Sequence, residues 1–150
     1  AGMEWELAEK LAILAKELKA KEVISLEGVA SNSTETKAFF YTTINKSAEL
    51  FKRIKVEQLK EGIVMGVTGA LLLKSDCPTS AIFVETHSQL PDSRAAAKII
   101  EVLDKYLNLK VDYKPLLEKA EAFEEKLKTM VQQKSEAEEQ KEKKELSYFG

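Results

Sequence analysis

A single cysteine, Cys77, leaves this chain with no possible internal disulfide, which suits a reducing compartment. The only histidine is His87, so a zinc site of the usual histidine and cysteine type lacks ligands. Cationic excess is missing too: 23 Lys and Arg stand against 25 Asp and Glu, for a net charge of −2. A sequence-independent nucleic-acid binder needs the opposite balance, to displace counterions from phosphates. No apolar run reaches the roughly 20 residues that cross a bilayer, so no membrane span is expected. Together these absences predict a cytoplasmic globular protein without nucleic acid, membrane, cofactor or metal.

What is present fits one domain. The 150 residues are 44% hydrophobic and 32% charged, enough for a real core under a highly charged surface. The abundance of Lys and Glu resembles that of thermophile proteins. No internal repeat is visible. Leu7, Leu11, Leu14 and Leu18 recur at four, three and four residues and predict one face of an amphipathic helix over Glu4–Ala20. Val23–Leu26 reads as a buried strand and 28–36 as a polar loop. Ala38–Ile44 has the aromatic and β-branched residues of a strand. Asn45 or Ser47 could cap a short helix to Arg53. Gly62–Gly66 reads as a short strand or tight turn, and Thr68–Lys74 as a helix. Thr79–Thr86 is nearly uncharged, as in a central strand. Asp92 caps a helix that starts at Ser93, and Asp112 with Pro115 opens a last, long helix. Strands alternating with helices predict an α/β fold, a layered sandwich on a mainly parallel sheet.

In the last helix, Leu116, Ala120, Phe123, Leu127 and Met130 form a narrow seam of coiled-coil spacing. It either packs on its own domain or meets a helix of another subunit. Past Val131 the seam stops while Glu, Lys and Gln continue. The chain therefore divides into a body over 1–131 and a charged tether over 132–150, either a lone helix or disordered.

Motifs for chemistry are thin. GVTGALLLK places two glycines before a helix, where anions can bind, but it lacks the spacing of a P-loop or a dinucleotide fingerprint. The glycines can equally serve close backbone packing. ETHSQLPD follows a strand, where ligand sites of α/β proteins tend to lie. Its Glu85, His87 and Asp92 could form an acid/base cluster. The alternative is that Thr86, Ser88 and Asp92 satisfy backbone groups at a strand-to-helix junction. Cys77, in SDCP, has no histidine nearby in sequence and reads as inert.

The ordered run EVISLEGV, EGIVMGVTGALLL and AIFVETHSQLPDSRAAAKIIEVLDKYLNLKVDYKPLLEKAEAFEEKL resembles the proteasome assembly chaperone family, in its archaeal branch. The likeness covers Glu22 to about Met130. It implies an α/β sandwich related to phosphorylase/hydrolase-like folds, used for binding rather than catalysis. It also implies proteasome α-subunits as partners, and a homo-oligomer. Family members begin earlier, with strands and a Gly-rich segment that have no counterpart here, so the chain looks like the C-terminal portion of such a domain.

The resemblance also bears on the ending, KEKKELSYFG. Proteasome chaperones and activators of this kind often end in a hydrophobic-Tyr-any motif that docks between adjacent α-subunits. Tyr148 takes the hydrophobic position, Phe149 the tyrosine position and Gly150 the last. The aromatic pair offers large apolar contact with few rotatable bonds, and the terminal carboxylate can bond a lysine. The competing reading is an enzyme, a small-molecule hydrolase or phosphorylase-like protein, that uses the loop at 85–92.

Overall fold

The computed structural model describes residues 2–33, 35–74, 76–87 and 92–112, together with 114, 115, 118, 121–123 and 125–133. The elements are α1 (Glu4–Glu17), β1 (Val23–Ala30), β2 (Ala38–Thr42), α2 (Asn45–Arg53), β3 (Glu57–Gln58), α3 (Gly66–Lys74), β4 (Thr79–Thr86) and α4 (Ser93–Leu107). The described residues between 114 and 133 are helical. The sheet order is β1-β4-β2-β3. β1 runs parallel to β4 and β3 parallel to β2, while β2 and β4 meet antiparallel. The sheet is therefore mainly parallel, with one antiparallel junction at its centre.

β4 is central because its sequence suits burial on both faces. Thr79 to Val84 are all buried, and side chains alternate between the faces. Ile82 and Val84 point to the layer made by α2 and α4, where they pack with Phe40, Phe51, Ala95 and Val102. Phe51 is stacked between Phe40 and Tyr106, with ring centroids 4.7 and 4.2 Å away. On the other face lie α3 and, beyond it, α1. Ala8 packs with Ala70 and Leu71, and Val23 joins them from β1. Small side chains here let the helices approach closely. An added Cβ at Gly69 would sit 2.6 Å from the Val64 carbonyl oxygen, so that glycine serves close packing.

Several expectations change. β1 is no buried strand: it continues to Ala30 and lies at the sheet edge, half covered. Gly28 lets it pass close to Thr86, whose Cγ2 would be 3.0 Å from an added Cβ. In α1 the buried positions are Ala8 and Ala15; the Leu7, Leu11, Leu14, Leu18 stripe is apolar but exposed. Contact with α3 selects the smallest residues, and the leucines fall to the side. Gly62–Gly66 forms no strand, and the two-residue β3 precedes it. α2 has Ile44 at its N-cap with no side-chain cap; Asn45 and Ser47 lie inside the helix, and Ser47 is bonded to Tyr106. In the seam of the last helix, Phe123 and Met130 are exposed, so these two do not pack on the body.

With only six glycines in the chain, helices end on other residues. Lys19, Lys55 and Asn108 follow α1, α2 and α4 in the left-handed region, with φ of 52, 62 and 54°. Each costs on the order of 1 kcal/mol relative to glycine. The chain turns back at each: Ala20 N–H donates to Ala15 O at 2.8 Å, Val56 N–H to Phe51 O at 3.0 Å, and Leu109 N–H to Asp104 O at 3.2 Å.

Phe51 is fully buried and touches rings on both sides, so Phe51→Ala removes a filled volume that two elements share. Urea denaturation should show a loss of about 3–5 kcal/mol. A loss below about 1 kcal/mol would mean that the stacked rings do not organise this core.

Candidate functional site

At the junction between β4 and α4, each side chain has a structural task. Glu85 accepts the Ser31 hydroxyl on Oε1 at 2.8 Å and the Lys37 backbone N–H on Oε2 at 3.0 Å. It thereby ties both ends of the β1–β2 connection to the last turn of the sheet. The Ser31 hydrogen bond, and after it the Lys37 N–H, hold its carboxyl below the ordinary value, since both favour the charged form. Asp92 caps α4, accepting the Ala95 N–H on Oδ1 at 3.0 Å. Its Oδ2 accepts the His87 backbone N–H at 3.0 Å and lies 3.6 Å from His87 Nδ1. Glu85 serves one loop, and His87 with Asp92 serves a helix start. The three lie close together, and among the described residues no nucleophile is seen to join them. Thr86 is in β4, and Ser88 lies outside the described residues.

The first turn of α3 is similarly committed. Ser25 Oγ and Thr68 Oγ1 are 2.5 Å apart, and Thr68 in turn donates to the Glu27 carboxylate. A carboxylate already stands beside this helix start, where an incoming anion would be repelled. Gly66 adopts φ +70° there, a turn requirement rather than a phosphate cradle. Cys77 is buried between α3 and β4, with its thiol 3.5 Å from the Ala12 carbonyl.

Two features escape sequence reading. One is an open groove of about 490 Å³ beside the ends of β1 and β4. Phe39 and Phe83 line it with Ile63 and Met65, and Glu27 and Glu85 are among its acidic residues. The apolar IVM run between two glycines was the available signal, but it reads equally well as a strand. The other is a polar cluster inside the α2/α4 layer. Glu22 accepts the Tyr106 hydroxyl on Oε2 at 2.7 Å and the Ser80 hydroxyl on Oε1. Tyr106 is also 2.7 Å from Ser47 Oγ, and Ser80 2.6 Å from Thr42 Oγ1. One carboxylate so joins the lead into β1 to β4 and α4, while the hydroxyls reach β2 and α2. Nothing in the spacing of residues 22, 47, 80 and 106 announces this.

Among the described residues, no group of three His, Cys, Asp or Glu side chains is placed to hold a metal. No helix among them is long and apolar enough to cross a membrane. Tyr148, Phe149 and Gly150 lie outside the described residues.

Burial pushes the Tyr106 phenol from its ordinary value of 10.0 up to about 12; the Ser47 bond opposes the shift and Glu22 adds to it. The folded state keeps this proton where the unfolded chain has lost it. The contribution to stability is thus full below about pH 10 and lost as pH rises through about 12. Chemical denaturation across this range should show a shallower alkaline decline for Tyr106→Phe than for the wild type. Identical slopes would contradict the burial of this hydroxyl.

The profile of the PAC2 family matches residues 2–131. An uncharacterized protein of Methanocaldococcus jannaschii is 34% identical over 132 residues, which are 85% of this chain and 54% of that protein. Among solved structures, Pyrococcus furiosus PbaA, described as an archaeal homolog of proteasome-assembly chaperone, superposes with a TM-score of 0.73 at 31% identity. That match covers 95% of this chain and 62% of PbaA. Pyrococcus furiosus PbaB, described as an archaeal proteasome activator, shares the fold with a TM-score of 0.68 at 22% identity, over 85% of this chain and 58% of its own. The chain thus spans a little over half the length of the relatives it matches. The α/β layers, the mainly parallel sheet and a profile match over most of the sequence agree: this chain belongs to the PAC2 family.

Proposed function

We propose that the chain is a non-catalytic proteasome assembly chaperone of the archaeal type, acting in the cytoplasm on proteasome α-subunits. One observation carries the reading: 31% identity over 95% of this chain with PbaA, an archaeal homolog of proteasome-assembly chaperone. The engagement of Glu85, Asp92, Thr68 and Cys77 in structural contacts supports a binding role over the hydrolase-like alternative at 85–92. In this proposal the body over 1–131 recognises α-subunits. The segment 132–150 is a charged tether whose end docks in pockets between α-subunits, as a variant of the hydrophobic-Tyr-any motif.

The physics of the terminus favours docking. Tyr148 and Phe149 supply apolar area, and Gly150 lets the carboxylate approach a basic residue closely. A homo-oligomer would present several tails at once, so that effective concentration raises avidity without new contacts.

Surface plasmon resonance on assembled α-rings tests this, with circular dichroism as the check on folding. Deleting Phe149 and Gly150 should weaken binding and leave the fold intact. One residue added after Gly150 should act likewise, since it moves the carboxylate by about 3.3–3.6 Å, beyond the tolerance of a hydrogen bond. Phe149→Ala should cost about 1–3 kcal/mol per engaged tail, and Phe149→Tyr should hold or improve affinity. Equal binding by wild type, deletion and extension would exclude the tail as the docking element. His87→Ala should leave binding unchanged; turnover of an amide or nucleoside by the wild type, lost in that variant, would overturn the non-catalytic reading.

A further inference from the structure

On the face of the sheet that carries α3, the start of that helix stands over Ser25, whose hydroxyl meets Thr68. One step further along the strands, Glu27 of β1, Phe83 of β4 and Phe39 of β2 are cross-strand partners. The row after it pairs Val29 with Glu85. Side chains two apart on a strand share a face, so these five residues form the floor of the open groove of about 490 Å³. Its wall is the segment between β3 and α3, with Glu61, Ile63 and Met65. Ile63 is 91% exposed and Met65 78%, although both are large and apolar. All of these residues lie between β1 and β4 in the sequence, so the groove is built without either end of the chain.

The charges in this groove have one sign. Among the described residues that line it, the charged ones are Glu27, Glu61 and Glu85, and none is a lysine or arginine. The Lys37 ammonium, which acts on Glu85 from outside the groove, pairs with Glu35 at 3.6 Å. Bonds from the Ser31 hydroxyl and the Lys37 N–H hold the Glu85 carboxyl below its ordinary value, so it is charged at neutral pH. Glu27 and Glu85 stand on neighbouring strands, two residues out of register, and their charges act together on whatever enters. A purely apolar occupant would expel water from these carboxylates and give nothing in return. An acidic one would be repelled. We infer that the groove binds a short segment of another protein chain that carries lysine or arginine among apolar side chains. The apolar side chains cover Phe39, Phe83, Ile63 and Met65, while the cations meet Glu27, Glu61 and Glu85. The volume falls within the roughly 300–1,000 Å³ of ligand sites, which is room for a few side chains. Methionine on the wall adapts its shape to different segments. The inference concerns the body alone and does not rest on the tail or on a proteasome partner, so the variants of Phe149 and Gly150 leave it untouched.

Fluorescence polarisation with a dye-labelled, end-blocked hexapeptide of four leucines and two lysines tests it. The protein should bind this peptide saturably. Peptides with glutamates in place of the lysines, or serines in place of the leucines, should bind at least about tenfold more weakly. Glu61→Lys and Met65→Ser change exposed positions of the wall, and each should weaken binding at least about tenfold with unchanged circular dichroism. Glu49→Lys makes the same change of charge on α2, in the opposite layer, and should bind like the wild type. The methyl signals of Ile63 and Met65 should shift in NMR spectra as the lysine peptide is added. No saturable binding would overturn the inference, and that includes the case in which the protein's own chain fills the groove. Equal binding of the glutamate peptide, an equal loss in Glu49→Lys, indifference to both wall substitutions, or binding without the methyl shifts would also overturn it.

Discussion

The stack of Phe40, Phe51 and Tyr106 is the contact on which this body depends. Three aromatic rings from β2, α2 and α4 lie almost parallel, with 16° between the first pair and 7° between the second. A stack of this kind combines large apolar burial with a defined geometry. It fixes both helices of one layer over the antiparallel junction of β2 and β4. At its end the Tyr106 hydroxyl reaches Glu22 and Ser47, so the apolar column finishes in a satisfied polar group. Glu22 then holds Ser80, which brings the buried central strand into the same unit. No buried side-chain polar atom among the described residues lacks a partner, as a well-formed core requires.

The same economy bears on function. The carboxylates and hydroxyls described around β4 and the start of α3 are bonded to backbone groups and to one another. Glu85 holds a loop, Asp92 a helix start, Thr68 a strand and Glu22 three elements. Exposed apolar surface among the described residues lies at the leucines of α1 and at the groove beside Ile63 and Met65. Such surface suits binding to other chains.

Much of the fold was legible in the sequence wherever a local signal and a tertiary need coincided. β4 reads as central because a nearly uncharged, β-branched run suits burial, and Asp92 reads as a cap because a favoured N-cap residue stands before an alanine-rich helical run. The leucines of α1 mislead because periodicity reports an apolar face without saying what covers it; the packing contact went to Ala8 and Ala15 instead. In sequence β1 looks short because Glu27 and Gly28 resemble a strand end, whereas Thr68 and the close approach to Thr86 accommodate them. Helix ends were blurred because Lys19 and Lys55 adopt the conformation that glycine usually announces. The Glu22 cluster joins residues up to 84 apart in sequence, a distance over which no pattern operates. Glu85, His87 and Asp92 share one neighbourhood, but spacing could not show that the Glu85 and Asp92 carboxylates are bonded to backbone groups.

The central claim is that the aromatic stack and its polar end form one cooperative unit. A double-mutant cycle between Glu22→Ala and Tyr106→Phe, measured by urea denaturation, tests it most directly. Residues of one bonded network couple by about 0.5–3 kcal/mol, whereas independent ones add to within about 0.3–0.5 kcal/mol. The account predicts a coupling of at least about 1 kcal/mol, because either substitution removes the same hydrogen bond. Strict additivity would contradict it, and would mean that Glu22 and Tyr106 stabilise the body separately.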